Sequence, residues 1–208
     1  MAENYKSKTF GAATADSTTS LAAAQTVSGA AVMTLDATKK AALSGDNLAV
    51  KVSLTSAGNM SGINFAIVGT GSLGEAQNET IAGPNANTVS TSGFYKTITT
   101  ITTSGTVGTN TSAGTIGMSS GLLTNADLIR IRSVVFGSTA TAGDIAIRDS
   151  DINGTAVLTL PTGGAADSVV YDMPDGGFRI KGTTGDSYFI SFDAGITTGC
   201  TVIGDLLI

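Results

Sequence analysis

Residues 48–67 read LAVKVSLTSAGNMSGINFAI, and their pattern decides the fold class. Leu48, Val50, Val52 and Leu54 alternate with small or polar neighbours. A turn-rich interval, Ser56 to Gly62, follows, and alternation resumes at Ile63, Phe65 and Ile67. Successive side chains of a strand point to opposite faces, so an apolar period of two predicts half-buried strands joined by a turn.

The same period recurs along the chain. Residues 97–103 are β-branched. Residues 128–136 alternate until the inward set passes from Ile129 and Ile131 to Val134 and Phe136, which predicts a bulge or bend. Further strands are expected at 144–148, 156–160, 169–171, 178–181, 188–192 and 201–203. Only 38–43 and 125–129 suit a helical turn, and Pro84, Pro161 and Pro174 fall where turns are expected. Short strands punctuated by Gly, Asn, Asp and Ser give an all-β chain of two β-sandwich or jelly-roll-like modules. The Gly-, Thr- and Ser-rich stretch 104–121 suggests a division into 21–120 and 121–208. Residues 1–20 lack any period and read as an extended N-terminal arm, with Tyr5, Lys6, Lys8 and Phe10 as its partner-binding residues. The tetrapeptide Thr-Ser-Ala-Gly at 55–58 and 111–114 has no repeating neighbours, so it marks no duplication.

Composition narrows the function. The 208 residues include no His, no Trp and one Cys, with 27 Gly and 13% charged residues. Without His there is no Ser-His-Asp or Cys-His relay and no His-ligated metal, so no enzymatic activity and no cofactor are expected. A net charge of -5 without a Lys/Arg cluster disfavours nucleic acid and anionic lipid as partners. Low charge with many small apolar residues predicts exposed methyl groups that an oligomer would cover. Cys200 has no partner in the chain and reads as a small core residue. Residues 21–33 are apolar, but no charged segment abuts them, so neither a leader nor a membrane span is expected. The Asn-x-Ser/Thr triplets at Asn59, Asn78, Asn110 and Asn153 are read as chance matches in a Thr-rich chain.

Three motifs resemble chemical sites. Gly69-Thr70-Gly71-Ser72-Leu73-Gly74 fits the dinucleotide fingerprint, yet no helical period follows to present N–H groups to a pyrophosphate, which favours a hairpin loop. Gly117-Met118-Ser119-Ser120-Gly121 fits a nucleophile elbow that has no histidine to serve it. Asp149-Ser150-Asp151-Ile152-Asn153-Gly154 matches a calcium loop at its first six positions, but position 12 is Leu160 in place of a bidentate glutamate. Asn-Gly between strand-like runs favours a type I′ hairpin, and a weak ion held by Asp149 and Asp151 is the alternative. Arg130 and Arg132 share a strand face, either solvated or bridged to another subunit.

Residues 52–65, with Gly69-Thr70, Glu79-Thr80-Ile81, Gly83-Pro84-Asn85 and Phe94-Tyr95-Lys96-Thr97-Ile98, resemble a small β-module of tailed-bacteriophage structural proteins. Residues 128–208, with Ile131-Arg132-Ser133, Ile145-Ala146-Ile147-Arg148-Asp149, Ala156-Val157-Leu158 and Gly176-Gly177-Phe178-Arg179-Ile180, resemble a second such module. The resemblance implies a virion protein made in the host cytoplasm and carries over no catalytic residue. The expected role is a capsid decoration (cement) protein on the capsid exterior. Its partners would be the major capsid protein and further copies of itself, as a homotrimer or homodimer. The rival readings are a tail or neck component, or a carbohydrate-binding module stacking sugars on Tyr95, Tyr171 or Tyr188.

Overall fold

The computed structural model describes residues 5–124, 128–137, 142–149, 153–162, 169–174, 177–181, 187–194 and 196–206. These residues are all-β and sandwich-like, with several antiparallel sheets and one short helix. In chain order the elements are β1 (Tyr5–Phe10), β2 (Ser17–Val27), α1 (Ala37–Ala41), β3 (Ala49–Ser56), β4 (Asn64–Thr70), β5 (Ala76–Ala82), β6 (Thr88–Ser90), β7 (Thr97–Thr103) and β8 (Val107–Thr124). They continue as β9 (Leu128–Phe136), β10 (Asp144–Asp149), β11 (Ala156–Pro161), β12 (Val169–Asp172), β13 (Phe178–Lys181), β14 (Tyr188–Phe192) and β15 (Cys200–Leu206). No helix among the described residues is long and apolar enough to cross a membrane.

The chain divides into two compact units. One comprises Thr14–Ser44 and Ala49–Met118; the other comprises Met1–Ala13, Gly45–Leu48 and Ser119–Ile208. In the first, β4 lies between β5 and β7, while β8 carries β2 and stands in the order β8-β3-β6. Its core is Leu21, Val50, Val52, Leu54, Phe65, Ile67, Tyr95, Ile98, Ile101 and Val107. The period of two read in β4 places Phe65 and Ile67 fully inside, and each such burial stabilises by roughly 1.5–3 kcal/mol. Helix α1 starts where expected because the Asp36 carboxylate accepts from the Thr38 and Lys39 N–H groups at 3.0 and 2.7 Å.

In the second unit one sheet runs β1-β15-β9-β12, with β13 also on β9, and β11-β10-β14 continues onto the last residues of β8. Its core gathers Phe10, Leu48, Ile131, Val134, Phe136, Ile145, Ile147, Tyr188, Ile190, Phe192, Cys200 and Val202. The expected bulge in 128–136 is present. Ile203 pairs with Ser133 and Gly204 with Ile131, so Arg132 is the extra residue that turns the inward set from Ile131 to Val134.

Three expectations are corrected. The arm expected over 1–20 is not an arm in its described part, 5–20: Tyr5 to Phe10 form β1, paired antiparallel with β15 from Tyr5↔Asp205 to Phe10↔Cys200, and Phe10 is 1% exposed, while 1–4 lie outside the described residues. Gly11 and Gly45 allow the following backbone to pass closely, with Gly11 N–H donating to Asp46 O and Gly45 N–H to Ala12 O. A β-carbon on Gly45 would lie 2.4 Å from the Ala12 oxygen. Ser17–Val27 then form β2, and between the two strands Ala13 N–H donates to Thr198 O and the Thr14 hydroxyl to Leu43 O. Residues 104–121 do hold the division expected near 120, since the two units part between Met118 and Ser119, but they are not a linker: most of them belong to β8. Thr111, Ser112, Thr115, Ser119 and Ser120 are all buried, so the strand shows no polar-apolar alternation. Gly114 and Gly121 let the Ser17 and Asn47 carbonyls approach to 1.8 and 2.0 Å of where a β-carbon would stand. Finally, Leu128 and Ile129 open β9 instead of closing a helical turn, and 125–127 lie outside the described residues.

Candidate functional site

The three motif matches resolve into strand geometry. Gly69 to Gly74 close the β4–β5 hairpin. Gly71 N–H donates to Glu75 O at 2.9 Å, Leu73 N–H to the Glu75 carboxylate at 2.8 Å, and Gly74 takes a φ of +82. Gly69 is required by the sheet: a β-carbon there would meet the Thr97 oxygen at 2.0 Å. Those N–H groups therefore serve a turn and face no phosphate. Ser119 lies inside β8, 1% exposed, so its hydroxyl is not displayed on a strand-to-helix turn. The acidic loop joins β10 to β11, with Asp149 N–H donating to Thr155 O at 3.0 Å and the Arg148 guanidinium donating to Gly154 O at 3.0 Å. Asp149 ends β10, while Asp151 lies outside the described residues. Among the described residues no cluster of three or more metal-ligating side chains occurs.

The arginine pair adopts neither expected role. Asp205 on β15 is 4% exposed, and its Oδ2 accepts from Arg132 Nε at 2.9 Å, with Arg132 Nη2 also at 2.9 Å and Arg130 Nη1 at 3.7 Å. Register explains the meeting, since Asp205 pairs with Arg130 across β15 and β9 and the bulge rotates Arg132 to the same carboxylate. The cluster is internal to one chain. Removing one partner from such a pair costs more than the pair itself contributes, so a slipped β9–β15 register that left Asp205 unpaired would be disfavoured.

The proposed anchors are placed differently. Phe10 fills the core of the second unit, and Lys8 Nζ lies 5.7 Å above its ring. Tyr5 and Lys6 contribute backbone to β1, and their side chains fall outside the described set. The tyrosines considered for sugar stacking are turned inward. Tyr95 and Tyr188 are fully buried, and Tyr171 packs against Phe136 at 5.8 Å while its hydroxyl donates to Pro161 O at 2.8 Å. Burial pushes the Tyr95 hydroxyl up to about 12, with a smaller contribution from the Glu79 charge, and burial alone pushes the Cys200 thiol up to about 12.

What the fold presents outward is the far face of the β5-β4-β7 sheet. Phe65, Ile67 and Ile101 face the core, which leaves Asn64, Ala66, Val68 and Thr70 of β4 on the other side. Register places Asn78 and Thr80 of β5 and Thr100 and Thr102 of β7 beside them. Thr70 and Thr97 share a hydroxyl hydrogen bond of 2.7 Å across the strands. Val68, 41% exposed, stands near the middle, and none of the three strands places a charged side chain on this face. The one acid of β5, Glu79, turns inward and accepts from Ser92 and Gly93 N–H at 2.8 and 3.0 Å. Sequence reasoning found β4 and β7 but did not single out this face, because threonine and asparagine carry no chemical motif. No family model matches the chain, and neither a curated protein nor a solved structure does.

Proposed function

We propose that the chain is a virion structural protein that binds the outside of a phage capsid as a decoration (cement) protein and stabilises the shell. The observation that carries this reading is the uncharged hydroxyl-and-methyl face of β5-β4-β7. Such a face loses little on leaving water, because it has no ion to desolvate, and its methyl groups gain on contact with another protein. The likeness of residues 52–98 and 128–208 to phage β-modules supports the same reading. The mechanism is mass action: a ligand that binds the expanded shell and not its unfolded or unexpanded forms stabilises it, and repeated weak contacts add through multivalency. With β1 built into its own sheet, the binding surface is assigned to a sheet face instead of an N-terminal arm.

Copy number relative to the major capsid protein, measured in purified virions by quantitative mass spectrometry, tests the role. Hundreds of copies support decoration. About a dozen moves the protein to the tail or neck, and absence from the particle removes the virion reading. Val68→Lys tests the surface: a charge at the centre of the face should weaken binding to expanded heads at least tenfold, roughly 1.4 kcal/mol, while the melting temperature stays within a few degrees. Undiminished binding would move the contact elsewhere.

A further inference from the structure

Every sheet edge among the described residues carries a device against further pairing, except one. Strand β1 bears Lys8, and the four-residue β13 bears Arg179. Strands β12 and β6 are four and three residues long. Strand β11 ends in Pro161 and faces a bulge at Ile147/Arg148. The outer side of β7 is covered by Ala31 to Met33, through Met33 N–H to Ile101 O and Thr103 N–H to Ala31 O. Strand β2 is covered where Asp36 N–H meets Leu21 O. Strand β5, AQNETIA, has none of these, and its one inward charge, Glu79, is already engaged by the Ser92 and Gly93 N–H groups of its own chain. It is seven residues long, contains no Lys, Arg or Pro, and pairs with β4 without a register shift.

Its polarity is set by the turns that flank it. Gly71 N–H bonds to Glu75 O and Gly83 N–H to Ile63 O, so odd-numbered residues of β5 direct their backbone to β4. Ala76, Asn78, Thr80 and Ala82 therefore direct N–H and C=O to the open edge. We propose that this edge pairs with β5 of a second copy, antiparallel about a two-fold axis through Asn78.

Charge selects that register. A two-fold through Glu79 would set two carboxylates directly opposite each other, which is destabilising. Centring on Asn78 instead sets Gln77 opposite Glu79, amide against carboxylate. Ala76–Thr80, Asn78–Asn78 and Thr80–Ala76 then each exchange two backbone hydrogen bonds. The three-stranded sheet becomes six-stranded, and its uncharged face doubles in width. The pairing is a property of the isolated protein and stands whether or not that face binds a capsid.

Sedimentation velocity of the purified chain across the micromolar range should show a dimer. Asn78→Pro removes an outward donor while leaving the β4 ladder intact, and Asn78→Lys sets two ammonium groups opposite each other, so both should give monomers that melt near the wild-type temperature. If the proline variant fails to fold, the lysine variant decides. Under mild oxidation Asn78→Cys should form a cross-linked dimer, because Cα atoms of a hydrogen-bonded pair lie about 5.5 Å apart, whereas Thr80→Cys should not; buried Cys200 does not compete. A wild-type monomer, an assembly unchanged by both Asn78 substitutions, or equal cross-linking of the two cysteine variants would overturn the pairing.

Discussion

Phe10→Ala discriminates between a tethering arm and a structural first strand. Phe10 is 1% exposed, and its ring lies among the buried side chains of the second unit. The space for a collapse around it is small, since the ring approaches within 3.1 Å of where a β-carbon on Gly121 would stand. Truncation of a buried phenylalanine removes its transfer free energy and leaves a cavity, together about 3–5 kcal/mol. For a unit of roughly a hundred residues, each kcal/mol lowers the melting temperature by about 4–8 °C, so a fall of at least about 12 °C is expected. Differential scanning calorimetry reads this directly as the displacement of one transition. Thr9→Val is the control: Thr9 is exposed, and its hydroxyl bond to Thr201 at 3.0 Å is on the outer face, so the change should stay within about 1 kcal/mol. A shift of under about 3 °C for Phe10→Ala would refute the packing described for β1 and restore the arm.

Further outcomes follow from single contacts. Asp205→Asn should cost roughly 2–4 kcal/mol in urea unfolding, because it strips the counter-charge from Arg130 and Arg132 while preserving shape; a change below about 0.5 kcal/mol would mean the cluster is solvated. Gly69→Ala should destabilise by at least about 2 kcal/mol, since the new methyl would stand 2.0 Å from the Thr97 oxygen and part β4 from β7. Stability should fall as pH rises from about 9 toward 12. In that window the unfolded chain ionises its cysteine and tyrosine while native Cys200 and Tyr95, both at about 12, keep their protons, so the unfolded state binds fewer protons and gains, by up to about 1.4 kcal/mol per pH unit per group. Cys200→Ala with Tyr95→Phe should flatten the pH slope; an unchanged slope would assign it to other groups.

The sequence made the apolar strands legible and hid the polar ones. Strands β3, β4, β7, β9, β10, β11, β12, β13, β14 and β15 stand where large aliphatic, aromatic or β-branched residues concentrate, and the bulge in β9 is visible as a change of inward parity. Strand β8 escaped because both of its faces are covered: Thr111 and Ser120 are as buried as Ala113, so threonine and serine stand where alternation would need valine. Strand β1 escaped because its pattern is Lys-Ser-Lys-Thr-Phe, with a single apolar residue, and its partner is β15 near the other end of the chain. Local periodicity carries no information about a partner almost two hundred residues away. The Arg132–Asp205 contact was illegible for the same reason, because neither residue is near the other in sequence. The rejected motifs were legible because each lacked the element its chemistry requires, a helix, a histidine or a closing glutamate.

The pairing of β1 with β15 also fixes an order of events during synthesis. Strand β1 has no strand partner until Cys200 to Leu206 emerge, whereas β3 to β7 find theirs among one another much sooner. At 5–20 residues per second, about 190 residues of waiting amounts to roughly 10–40 s in which Phe10 is exposed. Lys6 and Lys8 precede Phe10 within four residues, the placement by which charges keep an apolar residue from self-association before it is buried.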